Sequence, residues 1–374
     1  MQLRDFALER FFAQHEFTAP HLLCTSDCES VSVADLLAHE EGAVERFMDL
    51  RLGYTEAQGG LELRQEIAGL YTSVGTDRVL VSAGAEEAIF LCMNALISPG
   101  DEVIVPCPAY QSLHEVARGA GARVVPWMMH DDDGWRPDIE ALKESVTPRT
   151  KAIVLNTPHN PTGSLMTREE FVAVRDIAED ADIHVFSDEV YHGLEYDPKD
   201  RLPPMADLYE KGISVGVMSK AFGLAGLRIG WTATEDAALL GKMAALKDYT
   251  TICCSAPSEF LAALALRHRD ALVERNLGII RSNLALLDRF FAEHADVLTW
   301  VRPRAGAIAF PRVLADEGAE AFCLDAIRKA GVLLLPSTKY EGCDDHHVRI
   351  GFARADMPAS LTRFGEYLAS RPTH

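Results

Sequence analysis

The segment Met218-Ser219-Lys220-Ala221-Phe222-Gly223-Leu224-Ala225-Gly226-Leu227-Arg228 sets one lysine between an apolar run, Ile213 to Met218, and a glycine-punctuated turn, with an arginine eight residues on. A lysine at the end of a strand can reach into a pocket, where burial lowers its pKa and frees the amine to attack a carbonyl. The arginine offers a planar fork suited to a phosphate. The pair would hold a ligand at two points, by an imine and by a phosphate. A lone lysine in such a place is more often a surface residue, so the reading depends on what else the chain carries.

Three further motifs supply complementary parts. In Asn156-Thr157-Pro158-His159-Asn160-Pro161-Thr162-Gly163, the strand Lys151 to Leu155 runs into a Pro- and Gly-rich loop that cannot continue regular structure and presents an amide, Asn160, at its rim. The strand Ile183 to Ser187 ends in Asp188-Glu189-Val190-Tyr191, with a carboxylate at the strand's carboxyl end, where open α/β sheets place their ligands. A carboxylate beside a pyridine nitrogen keeps that nitrogen protonated and makes the ring an electron sink. Tyr191 can donate its hydroxyl to a phenolate on the same ring, as can the Asn160 amide. In Val79-Leu80-Val81-Ser82-Ala83-Gly84-Ala85-Glu86, a strand and tight turn lead into a helix running to Ile97, whose free N–H groups form an anion site. Each motif has a plain structural alternative: a βα junction, a turn, a helix cap, a half-buried tyrosine. Their order, each after a separate strand, favours one composite site for pyridoxal phosphate.

With these motifs the chain resembles the fold type I pyridoxal-phosphate enzymes, specifically the class I/II aminotransferases, from about Tyr54 to about Arg354. The resemblance implies that Lys220 is the Schiff-base lysine, that Asp188 partners the pyridine nitrogen, and that Asn160 and Tyr191 hold the ring's O3′. It implies that Arg228 binds the phosphate, with Ser219 beside it and with Gly84, Ala85 and Glu86 in the phosphate turn. Tyr110 falls where the family stacks an aromatic on the ring. Tyr54 matches a tyrosine that reaches the phosphate in a neighbouring subunit, which implies a homodimer with shared active sites. Arg349 matches the arginine that binds the substrate α-carboxylate, with Asn160 next to it. The fold implied is that of aspartate aminotransferase: a large domain with a mainly parallel seven-stranded sheet between helices, plus a smaller α+β domain.

The chain also departs from the family pattern. Val217 stands three residues before Lys220, where Ser or Gly is usual. Cys24-Thr25-Ser26-Asp27-Cys28-Glu29-Ser30 replaces a Gly-x-Pro-like stretch over the substrate, and Pro336-Ser337-Thr338-Lys339-Tyr340 replaces Pro-Gly before an aromatic. Substrate side-chain choice is expected from these two segments. Asp27 and Glu29 would favour a basic amino acid, Lys339 an acidic one, and all three could equally be solvated surface charges.

Composition agrees with this reading. The chain has 374 residues, 48% hydrophobic and 25% charged, enough for a large α/β domain and a companion. A formal charge of −20 argues against nucleic acid and anionic membranes as partners. No apolar run is long enough to span a bilayer, and the start carries no secretory stretch, so the expected location is cytoplasmic. The eight scattered cysteines read as reduced core thiols, and Cys24-x3-Cys28 lacks the partner pair a zinc site needs; no metal is expected.

Strand-like runs at 78–82, 102–106, 123–126, 151–156, 183–188, 213–219 and 228–234 alternate with helix-period stretches, which implies a mainly parallel sheet covered on both faces. A helical pattern from Ser255 to about His294 leads to strands at 306–310, 332–335 and 348–352 and a helix from Met357 to Ser370. The expected division is residues 1–45 as an N-terminal segment packing on the small domain, 46–284 as the cofactor-binding domain and 285–374 as the small domain. The function expected is ping-pong transamination between an L-amino acid and a 2-oxo acid. The same carbanion could expel a substituent or let the substrate cyclise, so a lyase or cyclase is the alternative on this scaffold. A non-catalytic amino-acid sensor would need an effector module, which the first 50 residues do not suggest.

Overall fold

A computed structural model describes residues 2–371. Its centre is a seven-stranded sheet in the order Val79–Ser82, Gly230–Thr234, Gly212–Val217, His184–Asp188, Thr150–Asn156, Glu102–Cys107, Arg123–Met128. Gly230–Thr234 runs antiparallel to both neighbours and every other pairing is parallel. The interior strands are buried at every position, as in Ile213-Ser214-Val215-Gly216-Val217, because helices cover both faces. One layer contains Ala85–Leu96, Gln111–Ala120 and Ala237–Lys247, packed on Val103, Val105, Val154, Phe186 and Val215. The other contains Arg168–Asp180, which begins with a capping box between Thr167 and Glu170 and buries Phe171 and Val174.

Register delivers the chemistry to one sheet edge. Asn156 pairs with Asp188 and Asp188 with Val215, so the carboxyl ends of three strands lie side by side. Gly216 is required there, since a Cβ at that position would sit 2.2 Å from the Trp231 ring.

The helical stretch after Ser255 forms two helices, Ala256–Arg267 and Arg269–Glu293. They break at His268, where the Arg267 and His268 side chains both turn toward Glu40, at 2.9 and 3.4 Å. Beyond them, Ile308–Ala309, Val348–Gly351 and Leu335–Pro336 form an antiparallel sheet backed by helices Ala319–Ala330 and Met357–Ala369. The run 332–335 is two strands rather than one, because its halves have different partners: Val332–Leu333 pairs in parallel with His21–Leu22, and Leu335–Pro336 pairs with Val348–Arg349. The pairing with His21–Leu22 brings helix α1, Ala7–His15, over the carboxyl edge of the large sheet, where Leu8 and Phe11 are buried with Phe310, Leu335 and Tyr340.

Candidate active site

A cleft of about 380 Å³ opens at this edge, between the strand ends, α1 and the segment after Val348. Lys220 follows the strand Gly212–Val217 by three residues, and its ammonium group donates to Ser26 Oγ at 2.8 Å. Burial pushes its pKa below the usual lysine value, with Asp27 and Asp188 opposing the shift. Asp188 ends its own strand and is 5% exposed. Its carboxylate accepts from the Val190 N–H at 3.3 Å and, among the described residues, has no cation within ion-pair distance. Burial therefore lifts its pKa to about 7. A buried carboxylate held this way has room beside it for a cationic ligand atom.

Asn156 and Asn160 act as a unit. The Asn156 side-chain oxygen, Oδ1, accepts from the Asn160 N–H at 2.7 Å and its side-chain NH2 donates to the Asp188 carbonyl at 3.2 Å, which ties the loop to the neighbouring strand end. Tyr191 is 1% exposed and donates its hydroxyl to the Ser26 carbonyl at 3.1 Å. Tyr110 lines the opposite wall, with its hydroxyl 3.2 Å from Glu9 and its ring 5.1 Å from that of Phe6.

The anion end of the cleft is built on backbone. Gly84 has φ +83° and precedes helix Ala85–Leu96, leaving the first N–H groups of that helix free to bind a phosphate. Arg228 lies so close that a Cβ on Gly84 would come within 2.5 Å of its guanidinium. That guanidinium donates to Ser219 Oγ at 3.3 Å and to the Ala225 carbonyl at 3.1 Å and has no carboxylate partner among the described residues. Val217 also lines the cleft and offers no hydrogen bond. Amide turn, unpaired guanidinium, buried amine and unpaired carboxylate together fit the phosphate, aldehyde and ring nitrogen of pyridoxal phosphate.

Arg349 is 1% exposed, yet it too lacks a carboxylate partner among the described residues. It donates to the Cys24 carbonyl at 2.9 and 3.1 Å, to Tyr340 Oη at 3.0 Å and to Asn160 Oδ1 at 3.3 Å. Neutral acceptors hold the fork in place but leave a buried positive charge to be balanced by an incoming anion.

The sequence reading brought Lys220, Asp188, Tyr191, Asn160, Arg228, Ser219, Tyr110, Glu86 and Arg349 to this region, and all line the cleft. Tyr54 does not; it is 93% exposed. Two of the expected specificity residues point elsewhere. Glu29 accepts from the Ala355 N–H at 2.8 Å, and Lys339 pairs with Glu320 at 2.6 Å while its ammonium lies 5.5 Å from the Phe11 ring. Asp27 does face the cleft, but it is ion-paired with Arg354 at 2.9 Å. Ser26 belongs to the segment from which substrate choice was expected, whereas sequence reasoning missed Asn156 and three residues of α1 and its C-terminal continuation, Glu9, Phe12 and Glu16. The repeated asparagine in Asn156-x3-Asn160 was a usable signal for the first. Nothing local marked the others.

Comparison with known proteins agrees with this geometry. The aminotransferase class I and II family matches residues 34–363. A capreomycidine synthase from Streptomyces vinaceus is 32% identical over 294 residues, covering 78% of this chain and 75% of that protein. A probable N-succinyldiaminopimelate aminotransferase from Mycobacterium tuberculosis is 33% identical over 348 residues, covering 85% of each. The crystal structure of a PLP-dependent aminotransferase from Streptococcus suis superposes with a TM-score of 0.94 at 31% identity, covering 100% of both chains. The chain belongs to the class I and II aminotransferases and is a pyridoxal-phosphate-dependent enzyme of that family.

Proposed function

We propose that this cleft transfers an amino group between an L-amino acid and a 2-oxo acid by a ping-pong route, with Lys220 as the covalent anchor of the cofactor and the proton carrier. The observation that carries the reading is the alignment of a half-buried lysine, a buried unpaired carboxylate and a buried unpaired guanidinium along one cleft. Bound there, pyridoxal phosphate supplies an electron-poor ring that stabilises negative charge developing at the substrate Cα.

Arg349 takes the α-carboxylate in a two-pronged contact, which fixes the Cα–H bond relative to Lys220. Lys220, its basicity lowered by burial, removes the Cα proton and delivers one to the cofactor side, so a single amine serves as base and then acid. Asp188 keeps its charge against the ring nitrogen. Asn160 would donate to the ring oxygen, and Tyr191 would do so by turning its hydroxyl away from the Ser26 carbonyl, while Arg228, Ser219 and the Gly84-Ala85-Glu86 turn would hold the phosphate.

Assembly as a homodimer belongs to the same proposal. Exposed apolar side chains concentrate in Val44, Met48, Leu52 and Tyr54 and in Tyr249 and Ile252. Thr55 donates to the Cys254 carbonyl at 3.0 Å, which draws the two stretches together into a face a second copy could cover. In that arrangement Tyr54 serves the neighbour's phosphate. The eight cysteines are free thiols, most of them buried, which supports a reducing, cytoplasmic setting. Lys220→Ala tests the proposal: turnover should vanish while phosphate and ring contacts still retain cofactor, and near-normal activity would refute it.

A further inference from the structure

The residues around Arg349 also bear on which side chain the substrate carries, an inference that rests on the transamination reading above. Glu9, Phe12 and Glu16 recur at the spacing of one helical face, and all three line the cleft beside the buried Leu8, whereas Phe11 turns into the core. The Phe12 ring lies 5.6 Å from the Arg349 guanidinium carbon. An amino acid whose α-carboxylate sits on Arg349 thus meets an apolar ring first, with a carboxylate about one helical turn to either side of it.

These carboxylates, Glu9 and Glu16, are free of ion pairs among the described residues. Glu9 accepts from the Tyr110 hydroxyl at 3.2 Å. Burial raises the pKa of Glu16, with Asp27 and Glu9 adding to the rise and Arg354 and Arg349 opposing it.

Arg354 is the competing anchor, and it would favour a second carboxylate. Its Nη2 already donates to both oxygens of Asp27, at 2.9 and 3.0 Å. A dicarboxylic substrate would have to displace Asp27 and then lie beside Glu16 with no further base to offset the repulsion. Lys220, Arg228 and Arg349 are engaged by the cofactor and the α-carboxylate in the reading above.

We propose that Glu9, Phe12 and Glu16 form the side-chain subsite of this enzyme and select an extended amino acid ending in a cation, a guanidinium or an ammonium. The methylenes of such a side chain cover Phe12 while its charged end is shared by the two carboxylates. Guanidinium suits the site better than ammonium, because its planar fork can bridge two carboxylates and stack on a ring face.

The test compares half-reactions of the cofactor-loaded enzyme with L-arginine, L-lysine, L-norleucine and L-glutamate, followed by the change in cofactor absorbance. Arginine and lysine should exceed norleucine and glutamate by about tenfold or more in specificity constant, the worth of one charge-assisted hydrogen bond. In Glu16→Gln and Glu9→Gln the arginine-to-norleucine ratio should fall by about three- to tenfold. As a binding readout free of turnover, 5-guanidinopentanoate should inhibit more strongly than hexanoate, and Glu16→Gln should erase the difference. Preference for glutamate or norleucine, or an unchanged ratio in both variants, overturns the subsite while leaving the transamination reading intact. Reaction with none of the four overturns the subsite, and absence of a half-reaction with any of the twenty common amino acids overturns the transamination reading as well.

Discussion

The Arg349 guanidinium donates to the side-chain oxygen of Asn160 at 3.3 Å, which joins the substrate-carboxylate anchor to the loop that follows the strand Thr150–Asn156. Tyr340 also donates to that oxygen, at 3.3 Å. With its oxygen occupied in this way, Asn160 has its NH2 group available for the cleft, oriented to donate to a ring oxygen. One side chain therefore links substrate binding to cofactor electronics.

Asn160→Ala should lower kcat/KM about 10- to 100-fold, the cost of a lost hydrogen bond to a charged group together with a less firmly held Arg349. Both the KM for the amino acid and the absorbance of the bound cofactor should shift. Steady-state kinetics and a spectral titration check this, and a KM change without a spectral change would assign Asn160 to substrate alone.

Arg349→Lys should weaken every amino acid together by about 10- to 100-fold, because a point ammonium cannot reproduce a bidentate fork. Ratios between substrates should stay as in the parent. If instead one class of amino acid is lost selectively, Arg349 reads the side chain rather than the α-carboxylate.

Asp188 gives the cofactor-free protein a defined pH signature. Burial holds its pKa at about 7, whereas in the unfolded chain it ionises near 4. Between these values the unfolded state has released a proton that the folded state keeps, so stability falls as pH rises through about 4 to 7 and the deficit is constant above. The full effect is on the order of 4 kcal/mol. Asp188→Asn in the cofactor-free protein should therefore be stabilising relative to the parent by several degrees more at pH 7.5 than at pH 4.5. Equal differences in Tm at the two pH values would mean that the carboxylate is already compensated.

Tyr54 and the exposed apolar residues around it predict a dimer in solution. Sedimentation at micromolar concentration should give twice the chain mass, and Tyr54→Phe should weaken cofactor retention without dissociating the dimer, since only a hydroxyl is removed. A fully active monomer would contradict the shared-site arrangement.

Much of the site could be read from sequence because its parts are local: a strand, a strand-end residue and a turn that only Gly or Pro chemistry allows. Lys220, Asp188, Asn160 and Arg228 are each of this kind, and the alternating pattern located the seven strands of the large sheet along the chain but not their order in it. The reversed direction of Gly230–Thr234 was overlooked, although no crossover helix separates it from Gly212–Val217 and such a connection favours an antiparallel pair. The side-chain subsite was not legible. Glu9, Phe12 and Glu16 reach the cleft only because His21–Leu22 pairs with Val332–Leu333 and the Gly351 N–H donates to the Leu23 carbonyl at 3.1 Å, contacts between opposite ends of the chain. The same pairing explains why charge alone misled at Glu29 and Lys339: both sit in the expected segments, but a backbone N–H and Glu320 claim them.

The central claim is that Lys220 carries the cofactor. Borohydride reduction of the loaded enzyme, followed by proteolysis and peptide mass mapping, tests it most directly. The predicted result is a single labelled peptide bearing the cofactor on Lys220, with no label in Lys220→Ala; label on a different lysine, or none in the parent enzyme, would contradict it.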